Sequence, residues 1–569
     1  MVTGPILILG ATGVFGSRLA KILAASTQAP LILASRKAHE AKALADQLAA
    51  LRPHGAAVSG ITIALPAELS NALARIKPYA VVHCAGPFQG QDYSVAKAAI
   101  AAAVHYVDLA DGRDFVVRIT SLDELARRAG VAVVSGASTV PALSTAVIDD
   151  LTAGWRRIDD LYVAIAPGGR APLGLAVVRG VLGYAGQELR VFRDGRWTML
   201  RGWGLLRRRV MPGVGARWLS LCDVPDLDLL VSRYAPARSA IFQAGIEPSA
   251  LHLGLYCLSL LRRVSIVSSL APLAQPLLFI ARLLRPFASD TGGMYVEARG
   301  VDATGQRVCS TWSLTAFLGD GPNIPALAAA AQIKAWLGGP APAVGARPCA
   351  GELALAQLQR EMQPLRIEIK HTASAQTLVP PFVAALGDSM AQLAPMVRRL
   401  HQAERPIEIW VGRAQVAPAA NALGRLLARL MSLPPAAADV PLEVQIEQVE
   451  DGERWTRNFG SNLFSSRLCS GKPGAKEIVE RIGPLAFSIK LTPREGALHW
   501  TLHECRAFNV RLPRALSPKI EASEFQDATG RFALRVDVAL PLLGRVAHYE
   551  AWLEPQAPLK PANENAGKR

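Results

Sequence analysis

The run ILILGATGVFG, Ile6 to Gly16, limits the fold more than any other part of the chain. Four apolar residues lead into glycines at 10, 13 and 16, and the amphipathic stretch SRLAKILAAS follows at once. A strand that turns this sharply into a helix needs positions without a Cβ, and the helix start then offers unpaired N–H groups and positive potential. Gly10, Thr12, Gly13, Val14, Phe15 and Gly16 are therefore expected to cradle a pyrophosphate.

The pattern continues with buried runs separated by Ala/Leu/Lys-rich helical stretches: LILAS (Leu31–Ser35), AVVHCAG (Ala80–Gly86), YVDLA (Tyr106–Ala110) and VAVVSGA (Val131–Ala137). Strands alternating with helices imply right-handed crossovers and a parallel sheet. The expected class is α/β: a Rossmann-like doubly wound domain over residues 1–150, with a return helix at 323–339. Its second strand ends in Ser35, Arg36 and Lys37, where NAD-selective folds carry an acid for the ribose hydroxyls. A hydroxyl and a guanidinium welcome a 2′-phosphate, which favours NADP(H) over NAD(H).

Beyond Asp150 the texture changes. Residues 151–322 read as a mixed α/β domain for substrate or dimer contacts, and 340–364, rich in Pro, Ala and Gly, as a linker. Residues 365–555 read as a β-rich domain, and 556–569 as a disordered tail. The apolar stretch 251–284 is interrupted by Arg262 and Arg263 and is marginal as a membrane span. It reads equally as a peripheral membrane contact, a buried helical pair or a homodimer contact.

Sixty-two basic against 46 acidic residues give a net charge of +16, which favours anionic partners. No dense Lys/Arg run with interleaved aromatics occurs, so nucleic acid is set aside. Seven dispersed cysteines without a CxxC pair point to reduced thiols. The start MVTGPILILG lacks a basic n-region and reads as a fold element, so a cytoplasmic location is expected, free or at the cytoplasmic face of a membrane. His499 and His503 stand four apart without a third ligand and read as strand positions, so no metal is expected.

The runs VVHCAGPF, HYVDLADGRDF and GASTVPALSTAVIDDL, with SDTGGMYVEARG and GDGPNIPA farther on, resemble the saccharopine-dehydrogenase-like reductase family. ERWTRNFGSNLFSS, GPLAF and ALPLLGRVAHYEAWL resemble a domain of unknown function that accompanies such reductases. The first resemblance implies that Cys84, Ala85, Gly86 and Pro87 lie against the cofactor, with Gly86 and Pro87 shaping the hydride-transfer face.

Proton donors are harder to place. Tyr93 and Lys97 have the YxxxK spacing of short-chain reductases, but they follow Pro87 at once and Ala80 stands where those enzymes carry a serine. Tyr93 is retained because its helix opens near the cleft. Tyr106 and Asp108 end the next strand at the carboxyl edge of the sheet, whereas Asp111, Arg113 and Asp114 read as turn and capping residues. The expectation is an NADP(H)-dependent oxidoreductase acting on a carbonyl, imine or enoyl group of a small apolar, lipid-like molecule. A non-catalytic nucleotide sensor that docks on membranes is the competing reading.

Overall fold

The computed structural model describes residues 4–556 apart from 53–54, 172, 264–266, 376–378, 403–406, 422–424, 426–435, 450–451, 461, 472–474, 484, 508–509, 514–516 and 542–543. All but the first residue of the tail expected at 556–569 lies outside the described residues. The chain divides into two compact units, Met1–Gln376 and Thr377–Arg569.

In the first unit the short apolar runs become parallel strands: β1 (Ile6–Leu9), β2 (Leu31–Ser35), β3 (Val58–Thr62), β4 (Ala80–His83), β5 (His105–Asp108) and β6 (Ala132–Ser135). Every residue of β1, β4 and β6 is buried, as a sheet with helices on both faces requires. The spatial order is 3-2-1-4-5-6, so the winding reverses between β1 and β4 and a crevice opens at their carboxyl ends. Helix α1 (Val14–Ser26) starts at that crevice, directly after β1.

The second sheet has nine strands around Arg157–Ala166, which pairs parallel with Ser239–Ala244 and antiparallel with Gly292–Val301. The expected return helix is present as Ile324–Gly338. Ala326, Ala328, Ala329 and Ala330 are buried, and its core joins α1 residues such as Leu19 and Leu23 to sheet residues such as Val163, Val296 and Trp312. A helix apolar all round is one covered all round, and its alanines let it sit close to its neighbours.

Two boundaries differ from the sequence reading. The segment 340–364 is not a linker: Gly345–Pro348 adds a seventh strand beside β6, and Leu355–Met362 is a helix. Cys349 is fully buried and its N–H bonds Ser135 O at 2.7 Å. The strand Ile367–Ala375, expected in the β-rich domain, pairs with Arg307–Ala316 at the edge of the second sheet, so the first unit runs to Gln376.

The apolar stretch forms two helices, Ser249–Arg263 and Ala274–Leu284, and its residues 264–266 lie outside the described residues. Leu278 and Ala274 are buried, but Phe279, Leu283 and Phe287 are 68%, 66% and 79% exposed. Among the described residues no helix is long and apolar enough to cross a membrane.

The second unit is a closed antiparallel barrel. Ten strands follow one another around it from Ile407–Ala417 to Gly544–Pro555, which pairs back onto Ile407–Ala417. His499 and His503 lie on its strand Ala497–Ala507, where four residues span about 13 Å. Among the described residues no group of three His, Cys, Asp or Glu could hold a metal.

Candidate cofactor site and cleft

The glycine turn is fixed by contacts that leave no room for side chains. A Cβ at Gly16 would lie 2.2 Å from Gly10 O, and one at Gly13 would lie 3.2 Å from the same oxygen. Gly10 has φ +74°, and a Cβ there would come within 3.0 Å of Ala85. The turns after β1 and β4 therefore abut across the crevice. Gly13 caps α1 without a side-chain bond, and the first turn holds no acid, so its N–H groups have no intrahelical partner. An anion fits such a cradle.

Thr12 and Ser35 share a hydroxyl hydrogen bond of 2.9 Å, which ties the glycine turn to the end of β2. Ser35 also accepts the Lys37 N–H at 3.3 Å, and Lys37 Nζ pairs with Glu40 at 2.6 Å. Arg36 is exposed and, among the described residues, makes no ion pair. On the other side, Gln91 Nε2 donates to Ala85 O (3.0 Å) and Pro87 O (2.6 Å), holding the turn after β4. Gly86 and Pro87 are exposed, and a Cβ on Gly86 would meet only the Phe88 ring at 3.5 Å. Burial pushes the Cys84 thiol far up, so it stays neutral.

The three expected proton donors are all engaged elsewhere. Tyr93 donates to Phe115 O at 2.8 Å and packs its ring 4.9 Å from that of Phe115, while Lys97 is solvated. The YxxxK spacing here is one packing tyrosine and one surface lysine. Tyr106 is fully buried and shares a 3.1 Å hydrogen bond with His83 Nδ1. Asp108 is fully buried as well, and its Oδ1 accepts from Gly136 N (2.7 Å), Ala110 N (3.0 Å) and Ser135 Oγ (3.0 Å). That carboxyl ties the end of β5 to the end of β6. Against the expectation of Tyr106 and Asp108 as proton donors, both side chains are fully buried and hydrogen-bonded within the protein, without access to solvent.

The loop just beyond β5 holds the groups that do face open space. Asp111 is exposed yet walled by protein on most sides; this surrounding raises its pKa, against the Gln89 amide that donates to it at 3.2 Å. Opposite lies the helix Leu175–Tyr184, whose Gly180 would bring a Cβ to 3.5 Å from the Gln89 amide. Tyr184 OH meets Cys222 Sγ at 3.1 Å, and both are part-exposed with pKa values raised by burial. Arg113 fixes this side of the cleft: it holds Asp228 through two bonds (2.6 and 2.8 Å), Asp223 at 3.3 Å and Arg190 O at 2.9 Å. Sequence reasoning took Asp111 and Arg113 for turn residues, and nothing in the sequence indicated that residues near 184 and 223 would meet them.

Residues 6–135 match the family described as saccharopine dehydrogenase NADP binding domain, and residues 393–553 match a domain of unknown function. The first of these matches makes the N-terminal domain similar to saccharopine-dehydrogenase-like NAD(P)-binding domains. A search of curated proteins gives no match. Solved structures with similarity include apo saccharopine dehydrogenase (L-Glu forming) from Saccharomyces cerevisiae, at 14% identity and TM-score 0.47, covering 65% of this chain and 100% of that one. An amine dehydrogenase from Mycobacterium smegmatis has 11% identity and TM-score 0.34, covering 61% and 94%. A dehydrogenase from Thermus thermophilus, in complex with NAD and α-ketoglutarate, has 12% identity and TM-score 0.24, covering 43% and 74%.

Asp108 makes a prediction through pH. Burial raises its pKa from 3.8 to about 6 in the native state. The native state thus holds the proton more tightly than the unfolded chain, and this contribution is full below the unfolded value and lost as pH rises through 6. Relative to Asp108→Asn, the parent's urea-unfolding free energy should fall by about 2–3 kcal/mol between pH 4 and 7. An unchanged difference across that range would mean that the carboxyl is not buried as described.

Proposed function

We propose that the protein is an NADP(H)-dependent oxidoreductase that moves a hydride between the cofactor and a carbonyl, imine or enoyl carbon of an apolar, lipid-like substrate. The observation that carries the reading is the turn from Gly10 to Gly16, whose backbone leaves a side-chain-free cradle at a helix start in a domain matched as NADP-binding. Gly13, Val14, Phe15 and Gly16 would hold the pyrophosphate, and Arg36, exposed and without an ion partner among the described residues, would take the 2′-phosphate. When bound, the nicotinamide supplies or accepts the hydride. Gly86 and Pro87 leave a smooth backbone face for it, beside the cleft of Asp111 and Tyr184. Asp111, with its pKa raised by its walled setting, would exchange the proton at the substrate's heteroatom or α-carbon. The Tyr184 hydroxyl, kept protonated, would donate a hydrogen bond beside it.

Two substitutions test the cofactor assignment by NADPH fluorescence titration. Gly13→Asp should weaken binding at least a hundredfold, because it sets a carboxylate where the phosphates rest; unchanged affinity would remove the cradle from this turn. Arg36→Asp should move preference from NADPH towards NADH by tenfold or more, and an unaltered ratio would refute the choice of NADP(H).

The proton carrier is tested on a panel of ketone and enoyl lipids. Asp111→Asn should lower kcat by about 10²–10⁴ while NADPH affinity stays within twofold. A kcat equal to the parent's would assign the proton elsewhere. Tight NADPH binding with no turnover of any panel member would favour the nucleotide-sensor reading instead.

We also propose that the helices of the 251–284 stretch touch anionic membranes from one side. Phe279, Leu283 and Phe287 recur every four residues on one exposed stripe, with Arg282 and Arg285 beside it. In flotation with vesicles of phosphatidylglycerol and phosphatidylcholine, the parent should float and the double variant Phe279→Ser, Phe287→Ser should lose at least four-fifths of its bound fraction. Equal flotation of both would exclude this stripe as the contact.

A further inference from the structure

Asp226 opens the helix Asp226–Tyr234 with a carboxyl that nothing compensates. It is 0% exposed, and neither of its oxygens has a hydrogen-bond partner among the described residues. A carboxylate at a helix start ordinarily accepts from the free N–H groups of the first turn. Here those groups are taken: Leu227 N–H goes to Val224 O at 3.2 Å, and Asp228 and Leu229 N–H go to Pro225 O at 3.1 and 3.0 Å. The Ser144 hydroxyl, the one polar group that acts on the carboxyl, donates to Pro141 O at 3.0 Å. Burial raises the Asp226 pKa to about 7.

No charge on the surrounding elements acts on it. The helix packs against the strands Glu188–Arg193 and Ser239–Ala244, the helix Arg113–Val117 and the turn Thr139–Leu143. Ser239–Ala244 and Thr139–Leu143 carry no ionisable side chain. On the first strand Arg190 pairs with Asp228 at 3.0 Å, Glu188 with Arg201 at 3.0 Å and Arg193 with Asp194 at 3.3 Å. Arg113 holds Asp223 and Asp228, and Asp114 faces Arg118. At the far end of the helix Arg233 pairs with Asp149 at 2.8 Å, and Tyr234 donates to the same carboxylate at 2.8 Å. One short segment therefore carries two opposed ties. Asp223 and Asp228 clamp Arg113 and with it the loop of Asp111, whereas Asp226 sits between them in surroundings that accept only a neutral acid.

We propose that Asp226 is a pH-operated latch on the cleft: neutral, it lets segment 223–228 dock and hold Arg113; charged, it draws that segment out of the core and frees the loop of Asp111. The charged form has no counter-charge where it stands, and it gains solvent only by moving the start of the helix. The docked state holds the proton more tightly than an open one, where the carboxyl has its ordinary value of 3.8. Docking is therefore full at low pH and is lost as pH rises to 7. Opening becomes about tenfold more frequent per pH unit between 5 and 7, then levels off. The latch does not rest on the cofactor or proton-carrier readings.

Hydrogen exchange of the full chain tests it, read by mass spectrometry on peptides spanning 223–234 and 109–118 and corrected for intrinsic rates. Between pH 5 and 7 both peptides should lose protection about a hundredfold in the parent. In Asp226→Asn and Asp226→Leu, both close in shape to the neutral acid, protection should stay within about threefold across that range. Near-UV circular dichroism reports whether each variant keeps its fold. Asp108→Asn should leave the hundredfold loss in place, because the opening does not reach the strand ends that Asp108 joins. The parent's own profile and Asp108→Asn decide the matter even if an Asp226 variant does not fold. The latch is overturned if protection in the parent is constant from pH 5 to 7, or if the loss persists in a folded Asp226 variant. It is equally overturned if Asp108→Asn abolishes the loss, or if 223–234 opens while 109–118 stays protected.

Discussion

The carbonyl of Gly10 stands where a side chain at position 16 would have to be, 2.2 Å from its Cβ. Helix α1 can begin hard against β1 only because that atom is missing, and the first-turn N–H groups then come to the carboxyl edge of the sheet. Gly10 is constrained in turn by Ala85, so the turn after β4 takes its place from the same contact. Arg113 carries the arrangement outward. Its guanidinium is mostly buried between Asp223 and Asp228, and an ion pair of this kind contributes more to register than to net stability. By holding the loop after β5 against the second sheet, it sets where Asp111 faces.

Asp108 and Asp111 are three residues apart, and both have pKa values raised by the protein around them, but their settings separate their roles. Asp108 has three donors on one oxygen and no contact with solvent, so it joins two strand ends. Asp111 has a single amide donor and open space in front of it. Exchange of a proton with a substrate requires access before it requires a suitable pKa, and only the second carboxylate has access.

Those settings decide what was legible in the sequence. The parallel sheet was readable because buried runs such as ILIL and AVVH have few other uses, and the glycine turn because its spacing is a backbone requirement. Tyr106 was misjudged because a strand covered on both faces shows no alternation to separate cleft from core. The strand Gly345–Pro348 was hidden by neighbouring Pro, Ala and Gly that mimic a linker, although Cys349, the residue that follows it, is fully buried. The meeting of Gln89 with Gly180, or of Arg113 with Asp228, is set by tertiary packing over tens to a hundred residues, which no local pattern encodes.

The barrel carries the same lesson to charge. Arg457, Glu480 and Glu453 sit at strand positions whose alternation alone would mark them as inward, and a charge at such a position normally argues for the opposite face. They are tolerated because Glu480 neutralises Arg457 and because Glu453, buried with its pKa raised, takes a hydrogen bond from Trp455 at 2.8 Å.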